Sequence, residues 1–323
     1  MEDTLDYKPF FGLLEDPFNT VASPRFFYLS PIHAIALNKS VFTVDNRKGV
    51  SVVWGDIGTG KSTLARIMHE RFLNKGYISV LLTNPGYISK NALIRTINEG
   101  FKVPTAKAYK DNLDRLKAFL LKKGETNNKI IVLLLDEAQE LNLPLLETLR
   151  QILNFESDKK LLQLVLFPQE EFRTKLQDYR TRNFRRRIAY ASTLDRMDVG
   201  TMSQMIEFRW TVASGNQSKH PFTQGALQNI FEHSAGLPSE ACIIADNALL
   251  IAFLNQQREV TPAFVESAIG DRLKNIGKLD REMKPVKKKP EKEQVPDREQ
   301  EVTHESTWPL RQTWRWRAWP RAI

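Results

Sequence analysis

The sequence predicts an α/β protein in which a parallel sheet flanked by helices is followed by a small all-α domain. Up to about residue 195, short apolar runs alternate with segments of helical periodicity, the pattern of an α/β layer structure. The run 129–137 is almost continuously aliphatic, as expected for a strand that a parallel sheet buries on both faces. Beyond Asp195 only helical patterns follow, so we expect the sheet to end there.

Length and composition indicate the domain organisation. The chain has 323 residues, enough for about two domains, and 41% of them are hydrophobic, which is sufficient for a proper core. We predict four segments: an aromatic and proline-containing segment that packs on the core (1–45), the sheet domain (46–195), a helical lid domain (196–276), and a disordered charged linker with a Trp- and Arg-rich tail (277–323).

The first segment combines aromatic side chains with prolines, which is typical of a loop. Its aromatic residues include Phe10, Phe11, Phe18, Phe27 and Tyr28. Two interpretations remain open: these side chains form a wall of a ligand pocket, or they cap an edge of the sheet. The pair Ser30-Pro31 then predicts the start of a helix, because proline is favoured at the first helical position.

A glycine-rich loop lies between a strand pattern at 50–54 and a helix pattern at 61–73. Strand, glycine loop and helix in this order are the setting of a phosphate-binding loop, whose backbone N–H groups surround the phosphates. Lys61 can reach the β- and γ-phosphates, and the Ser62 hydroxyl can bind Mg²⁺. We therefore predict ATP and Mg²⁺ as ligands. The predicted nucleotide-binding residues are Gly55, Asp56, Ile57, Gly58, Thr59, Gly60, Lys61, Ser62 and Thr63.

Further strands and helices follow in alternation. The strand patterns lie at 77–83, 129–136 and 161–167. Ser89 is expected to cap one helix, Gly124 to follow the end of the helix at 111–123, and Pro144 to lie early in a third helix. Helical patterns alone occupy 201–213, 223–234, 239–255 and 262–275.

An acidic pair, Asp136-Glu137, ends the aliphatic strand. Phosphoryl transfer needs positioning, charge neutralisation and an oriented nucleophile. Asp136 is expected to hold Mg²⁺ together with Ser62, and Glu137 to polarise the attacking water as a general base.

Two amide side chains follow neighbouring strands. Gln169 comes after the strand at 161–167, where it can reach the γ-phosphate or the water, or simply cap the next helix. Asn84 follows the second strand and is either a turn residue before proline or a hydrogen-bond partner that holds Glu137 away from water.

The segment 180–187 is the densest basic run of the predicted folded part. It contains Arg180, Arg182, Arg185, Arg186 and Arg187. Three interpretations remain open: a solvated charged face, an arginine finger supplied to the ATP of a neighbouring subunit, or a contact with nucleic-acid phosphates.

The overall charge and the cysteine content bear on partners and compartment. The formal charge of +9 permits an anionic partner such as DNA or acidic lipid. A single cysteine, Cys242, excludes an internal disulfide framework, and no apolar run is long enough to span a bilayer, so we expect a cytoplasmic protein. Several interpretations of the tail remain open: binding to a membrane surface, binding to a protein partner, stacking on nucleic-acid bases, or no fixed role. Its tryptophans, which lie among arginines, are Trp308, Trp314, Trp316 and Trp319.

In this order, the motifs resemble those of AAA+ ATPases of the ExeA type, the general secretion pathway A group. The resemblance covers roughly residues 8–273. The matching stretches are Phe11-Gly12-Leu13, Pro17-Phe18, Tyr28-Leu29-Ser30-Pro31, Gly58-Thr59-Gly60-Lys61, Asn84-Pro85, Asp136-Glu137-Ala138-Gln139, Leu162-Gln163-Leu164-Val165-Leu166 with Gln169, Arg187-Ile188 and Gly236-Leu237-Pro238.

The resemblance implies a P-loop AAA+ core with a helical lid, ATP hydrolysis, and homo-oligomers in a ring or filament that act as a nucleotide-controlled switch or motor. Gln169 would be the sensor-1 residue and one of Arg185, Arg186 and Arg187 the finger. The target-selecting ATPases of transposons are similar in layout, so ATP-gated DNA binding in transposition and a role as adaptor of a secretion machine remain alternatives.

Ser239 departs from the pattern of this group. ExeA-type proteins usually have an arginine directly after the Gly-x-Pro turn, where it touches the γ-phosphate. Ser239 occupies that position here. We therefore expect ATP to be coupled to lid closure more weakly, or by another residue.

Overall fold

A computed structural model describes residues 6–83, 86–156 and 158–276, with side chains as far as Arg272. Asn84 and the linker and tail at 277–323 lie outside the described residues, so what the sequence predicts for them stays a prediction.

Five strands form one parallel sheet in the order β2-β3-β4-β1-β5. The strands are β1 (Val50–Gly55), β2 (Ile78–Leu82), β3 (Ile131–Asp136), β4 (Leu162–Phe167) and β5 (Ile188–Leu194). Because every pair is parallel, the carboxyl ends of all five strands lie along the same edge of the sheet. The loops after β1, β3, β4 and β5 therefore meet at that edge.

Helices cover both faces of the sheet and bury the central strands completely. The helices that precede the last strand along the chain are α1 (Lys8–Phe11), α2 (Pro31–Asp45), α3 (Lys61–Asn74), α4 (Lys90–Gly100), α5 (Tyr109–Leu120), α6 (Leu143–Leu153), α7 (Glu171–Gln177) and α8 (Arg182–Arg185), of which α1 packs away from the sheet. Along β3, Leu133 and Leu135 pack into the cluster of α4, α5 and α6, whereas Val132 and Leu134 pack against α2 and α3. This alternation confirms the burial of the aliphatic strand on both faces.

Local sequence features fix several of these helix ends. Ser30 and Ser89 accept hydrogen bonds from the backbone N–H groups of His33 and Ala92, as N-cap residues do, and Pro144 lies in the first turn of α6. Gly124 does not end a helix, contrary to expectation. The chain continues from α5 through a π-helical turn at Leu121–Thr126, in which Gly124 is buried. A Cβ at this position would lie 3.1 Å from Leu161, so glycine serves close packing here.

The strand β5 had no counterpart in the sequence-based prediction. It pairs with the six residues of β1, with a register shift between Val50 and Ser51, and so forms one edge of the sheet. Its residues 188–193 are exposed or only half-buried, and only Leu194 is buried. An edge strand with so few aliphatic side chains lacks the apolar run by which the other strands were found.

Four helices follow the sheet and pack around a second hydrophobic cluster. They are α9 (Val199–Ala213), α10 (Gln224–Ser234), α11 (Pro238–Leu254) and α12 (Pro262–Ile276). Their limits lie within two residues of the predicted ones. Cys242 is buried in this cluster, as expected, and burial raises the pKa of its thiol.

The aromatic segment at the start of the chain packs on these four helices rather than on a sheet edge. Phe11, Phe18 and Phe26 belong to the same buried cluster as α9 and α11. Arg209 of α9 holds the segment in place, because its guanidinium donates to the carbonyl oxygens of Pro17 at 2.7 Å, Asn19 at 2.6 Å and Phe26 at 3.2 Å. The segment thus spans from the helical cluster to α2, which packs on the sheet.

Among the described residues, no helix has both the length and the apolar character that crossing a membrane requires.

Candidate nucleotide-binding site

The predicted site residues gather at the carboxyl edge of the sheet. The glycine loop follows β1, Asp136 ends β3 with Glu137 directly after it, and Gln169 lies two residues beyond β4. Topology alone would bring these groups together, and the side-chain contacts show that they meet. The Ser62 hydroxyl lies close enough to the Asp136 carboxyl to lower its pKa, and Gln169 donates to Glu137 at 2.9 Å.

The glycine loop wraps closely around its own lysine. Gly58 and Gly60 have φ angles of +84° and +93°, a region that side-chain-bearing residues rarely adopt. The Lys61 ammonium is almost completely buried and donates to the carbonyl oxygens of Gly55 and Asp56, both at 2.8 Å. The α3 helix begins at Lys61, so its first N–H groups point toward the loop.

The buried Lys61 ammonium lies near the carboxylates of Glu137 and Asp136. Burial lowers the pKa of Lys61, while the carboxylates of Glu137 and Asp136 act in the opposite direction. Burial raises the pKa of Asp136, and its hydrogen bonds with Ser62 and with the Glu137 N–H counter that rise. A hydroxyl and a buried carboxylate side by side are the hard oxygen donors that Mg²⁺ prefers, so these residues fit that cation.

Glu137 is held in an unusual conformation. Its φ of +52° places the residue in the left-handed region, which costs free energy for any residue but glycine. The Oε2 atom of its carboxylate accepts hydrogen bonds from the side-chain amides of Gln139 at 2.5 Å and Gln169 at 2.9 Å. The contact of Gln169 is thus to the acidic residue, and its side chain does not cap α7.

A cleft of about 290 Å³ opens above the glycine loop. The loop residues 57–63 and Glu137 form its floor, and residues 19–23 and 26–28 of the aromatic segment form one wall. Met197, Met205 and Pro238, from the helical part and the connection to it, also line the cleft. The aromatic segment therefore walls a pocket, in agreement with the first of its two sequence-based interpretations.

The helical part touches the glycine loop directly. The backbone N–H of Ser239, at the start of α11, donates to the Gly58 carbonyl at 3.2 Å. Arg196, just after β5, lies 3.4 Å from the carboxylate of Asp56 in the loop, and its guanidinium also donates to the Ala235 carbonyl near the end of α10. Arg196 thus links the loop to the helical cluster close to the position where Ser239 replaces the expected arginine.

His33 supports the loop from the side of α2. Its buried ring lies 2.7 Å from the Ser30 hydroxyl through Nδ1 and 2.9 Å from the Thr59 carbonyl through Nε2. A carbonyl can only accept, so Nε2 carries the proton and Nδ1 accepts from Ser30. Burial lowers the pKa of His33, which favours this neutral form.

The three candidate finger arginines do not join the site within one chain. None of them lines the cleft as far as the described residues define it. Arg187 is bound to Glu156 at 2.7 Å and to Asn154 and the Leu153 carbonyl, and Arg185 donates to the Leu176 carbonyl at 3.0 Å. Arg186 is exposed.

Comparison with known proteins agrees with this geometry. Residues 44–176 match the family model described as AAA domain. General secretion pathway protein A of Aeromonas hydrophila is 32% identical over 257 residues, which cover 79% of this chain and 46% of that protein. The chain therefore carries an AAA domain and is similar over most of its length to this curated relative. It spans about half the length of this curated relative.

Solved structures show the same AAA+ fold at low sequence identity. Cdc6p from Pyrobaculum aerophilum is 16% identical, with a TM-score of 0.62 over 80% of this chain and 71% of that chain. The Aeropyrum pernix ORC1 protein, solved in complex with DNA, is 15% identical, with a TM-score of 0.58 over 77% of this chain and 68% of that chain. These likenesses confirm the predicted fold class.

Three residues at the AAA+ site had no role in the sequence-based prediction: His33, Gln139 and Arg196. Gln139 stands in the motif that follows β3, but spacing alone does not show that its side chain turns back to Glu137. His33 and Arg196 reach the glycine loop from 26 and 140 residues away along the sequence, a distance that no local pattern encodes.

Proposed function

We propose that the chain binds ATP with Mg²⁺ in the cleft above the glycine loop and hydrolyses ATP to ADP and phosphate. The observation that carries the proposal is the meeting of three motifs distant in sequence. Ser62 contacts Asp136, Lys61 is buried among the carboxylates, and Glu137 lines the same cleft as the loop.

Each residue has a role that its position supports. The loop N–H groups and Lys61 hold the phosphates, with Lys61 moving from the Gly55 and Asp56 carbonyls to the phosphate oxygens. Ser62 and Asp136 would hold the Mg²⁺, which when bound neutralises phosphate charge. Glu137 would accept the proton of the attacking water, and Gln169, which contacts Glu137, would be the sensor.

Phosphate release by the purified protein tests the proposed reaction. Lys61→Ala should abolish ATP binding, and Glu137→Gln should retain binding and lose turnover. Wild-type activity that survives both substitutions would refute the assignment. An active-site role predicts a loss of turnover on the order of a hundredfold or more for Glu137→Gln, the range reported for removal of general acid–base groups.

We further propose that the chain works as a homo-oligomer, a nucleotide-controlled switch or motor whose sites are completed by a neighbouring subunit. The three arginines at 185–187 lie outside the cleft of their own chain, so one of them would stabilise transition-state charge only from a second copy. Arg186 is free to do so as it stands, whereas Arg187 must first release Glu156.

Mixing two inactive variants identifies the finger. Each of Arg185→Ala, Arg186→Ala and Arg187→Ala is mixed with Lys61→Ala subunits, which keep their arginines but lack a working nucleotide site. The finger variant is the one that is inactive alone, still binds ATP, and regains turnover in the mixture. Full activity of all three single variants would contradict completion of the site in trans by this segment.

ATP-gated DNA binding, as in regulators of transposition, is the second candidate function. It is supported by the exposed side chains of Arg180, Arg182 and Arg186 on the segment that follows α7. The stacking of Arg182 over the ring of Tyr179, itself 69% exposed, adds an aromatic surface to this basic one. A gel-shift series at rising salt, with and without a non-hydrolysable ATP analogue, tests this function. Lack of ATP-dependent binding at low salt would remove it.

The role of an adaptor in a secretion machine rests on the similarity to General secretion pathway protein A. If the Trp- and Arg-rich tail recruits the protein to a membrane surface, full-length protein should float with liposomes and a version ending at Asn275 should not. Equal flotation of both would count against an anchor in the tail.

A further inference from the structure

The carboxylate of Glu137 presents its two oxygens to different surroundings. Oε2 accepts from both side-chain amides, Gln139 at 2.5 Å and Gln169 at 2.9 Å. A carboxylate oxygen has about two lone-pair positions, so Oε2 is saturated by these donors. Oε1 forms no hydrogen bond with any described residue, which leaves it as the oxygen that can take a proton from water.

Gln139 closes the arrangement into a ring of hydrogen bonds. Besides donating to Glu137, its side-chain oxygen accepts from the backbone N–H of Gln169 at 3.1 Å. The same side chain therefore fixes the acidic residue after β3 relative to the loop after β4. Each contact restricts the rotation of a long side chain that would otherwise sample several rotamers.

Lys175 holds Gln139 from behind. Its ammonium, on α7, donates to the backbone carbonyl of Gln139 and lies 3.4 Å from that of Leu141. Both carbonyls belong to the short 3₁₀ turn at Ala138–Glu140 and its C-terminal end. The turn that carries Gln139 is thus tied to α7, and α7 is fixed to the core through the buried Phe172 and Leu176.

We propose that Gln139 is a positioning residue that orients the Glu137 carboxylate with Oε1 toward the attacking water, and that Lys175 holds Gln139 in place. The inference rests on the proposed function, in which Glu137 is the general base. Loss of Gln139 is expected to disturb the orientation of the Glu137 carboxylate, and a base displaced by about 1 Å loses up to two orders of magnitude in rate. Binding of ATP itself does not require Gln139, which contacts neither the glycine loop nor Lys61.

Two substitutions separate the donor role of Gln139 from its acceptor role. Gln139→Met keeps the length of the side chain and removes both hydrogen bonds. Gln139→Glu keeps an oxygen that can accept from the Gln169 N–H, but it cannot donate to Glu137. Gln177→Met, on the exposed side of α7, is the matched control, since the Gln177 side chain forms no hydrogen bond with any described residue.

Steady-state turnover and ATP affinity are measured for these variants. We expect Gln139→Met to lower kcat on the order of tenfold while KM and the affinity for a non-hydrolysable ATP analogue stay within about twofold. Gln139→Glu should lose at least as much kcat, because the carboxylate repels Glu137. The control should have the wild-type kcat.

Two results would overturn this inference without contradicting the proposed function. One is a wild-type kcat for Gln139→Met. The other is recovery of activity in Gln139→Glu, which would assign the effect to the Gln169 contact. If Gln139→Met does not fold, Lys175→Met is measured instead and should lower kcat in the same way. Lys175→Arg keeps a donor and is expected to restore kcat. An inactive Lys175→Arg would contradict the role of Lys175. A wild-type protein without ATP turnover would contradict the proposed function and this inference together.

Discussion

At the scale of single residues, the glycine loop depends on side chains that lie outside it. His33 is the clearest example, since it joins α2 to the glycine loop through the Thr59 carbonyl and is buried. A protonated ring could still donate through Nε2, but its Nδ1 would no longer accept the Ser30 proton. Protonation would therefore change the contact with Ser30, while the contact with the Thr59 carbonyl is open to either form.

The pH dependence of stability should report this histidine. Burial lowers the pKa of His33 in the folded chain, so below its ordinary value of about 6.5 the unfolded chain binds a proton that the folded chain does not. The free energy of unfolding should fall as pH drops below that value, by at most about 1.4 kcal/mol per pH unit for this group. His33→Gln should show a smaller fall, measured by urea unfolding between pH 7 and 5.

His233→Gln is the matched control, because His233 is exposed in α10. It should keep the wild-type dependence on pH. The same slope for wild-type protein and His33→Gln would mean that His33 does not stay neutral in the folded chain.

The residues that sequence analysis could assign are those whose role follows from local context. Lys61, Ser62 and Asp136 stand at fixed positions relative to a strand and a helix, and the structure brings them together. Gln139 and Arg196 act through contacts that depend on how separate loops fold over each other. Their side chains carry no local pattern that distinguishes them from ordinary surface residues.

At the scale of elements, the junction between the glycine loop and α11 is the point where the two parts of the molecule meet most closely. A Cβ added to Gly58 would lie 2.0 Å from the Ser239 hydroxyl oxygen and 3.1 Å from its Cβ. The loop and the start of α11 can therefore approach only because residue 58 has no side chain. An arginine side chain at position 239 would likewise have to point away from residue 58.

Gly58→Ala should destabilise the protein through two separable effects. The left-handed φ costs about 1–2 kcal/mol for alanine, and the clash with Ser239 adds to it. Ser239→Gly removes the clash, so the double variant should recover part of the lost stability. The four proteins of this double-mutant cycle are compared by urea unfolding, with Ser239→Gly alone as the control. Strictly additive effects would show that α11 does not press on the loop.

Element prediction succeeded for the strands that carry an apolar run and failed for the strand that lacks one. Strands β1, β3 and β4 are buried on both faces, and their apolar runs are legible in the sequence. In the edge strand β5 only Leu194 is buried and three of the seven residues are exposed, so its pairing with β1 is dictated by the sheet rather than by its own composition. The end of α5 was missed for a related reason, because Gly124 serves packing there instead of ending the helix.

At the scale of the whole molecule, the sheet and the helical cluster share one cleft. The glycine loop and Glu137 come from the sheet, Met205 and Pro238 from the helices, and the aromatic segment joins the two. A ligand in this cleft would contact both parts, so its binding and release can change how they are held together. This arrangement supports the proposed nucleotide-controlled switch, and Arg196 and Ser239 are the contacts through which it would act.

The identity of the nucleotide that stays bound tests the central claim most directly. Wild-type protein, Glu137→Gln and Lys61→Ala are each incubated with ATP and Mg²⁺, separated from free nucleotide, denatured, and their bound nucleotide is identified by chromatography. The account predicts ADP with the wild-type protein, intact ATP with Glu137→Gln, and no nucleotide with Lys61→Ala. ADP recovered from Glu137→Gln, or ATP retained by Lys61→Ala, would contradict it.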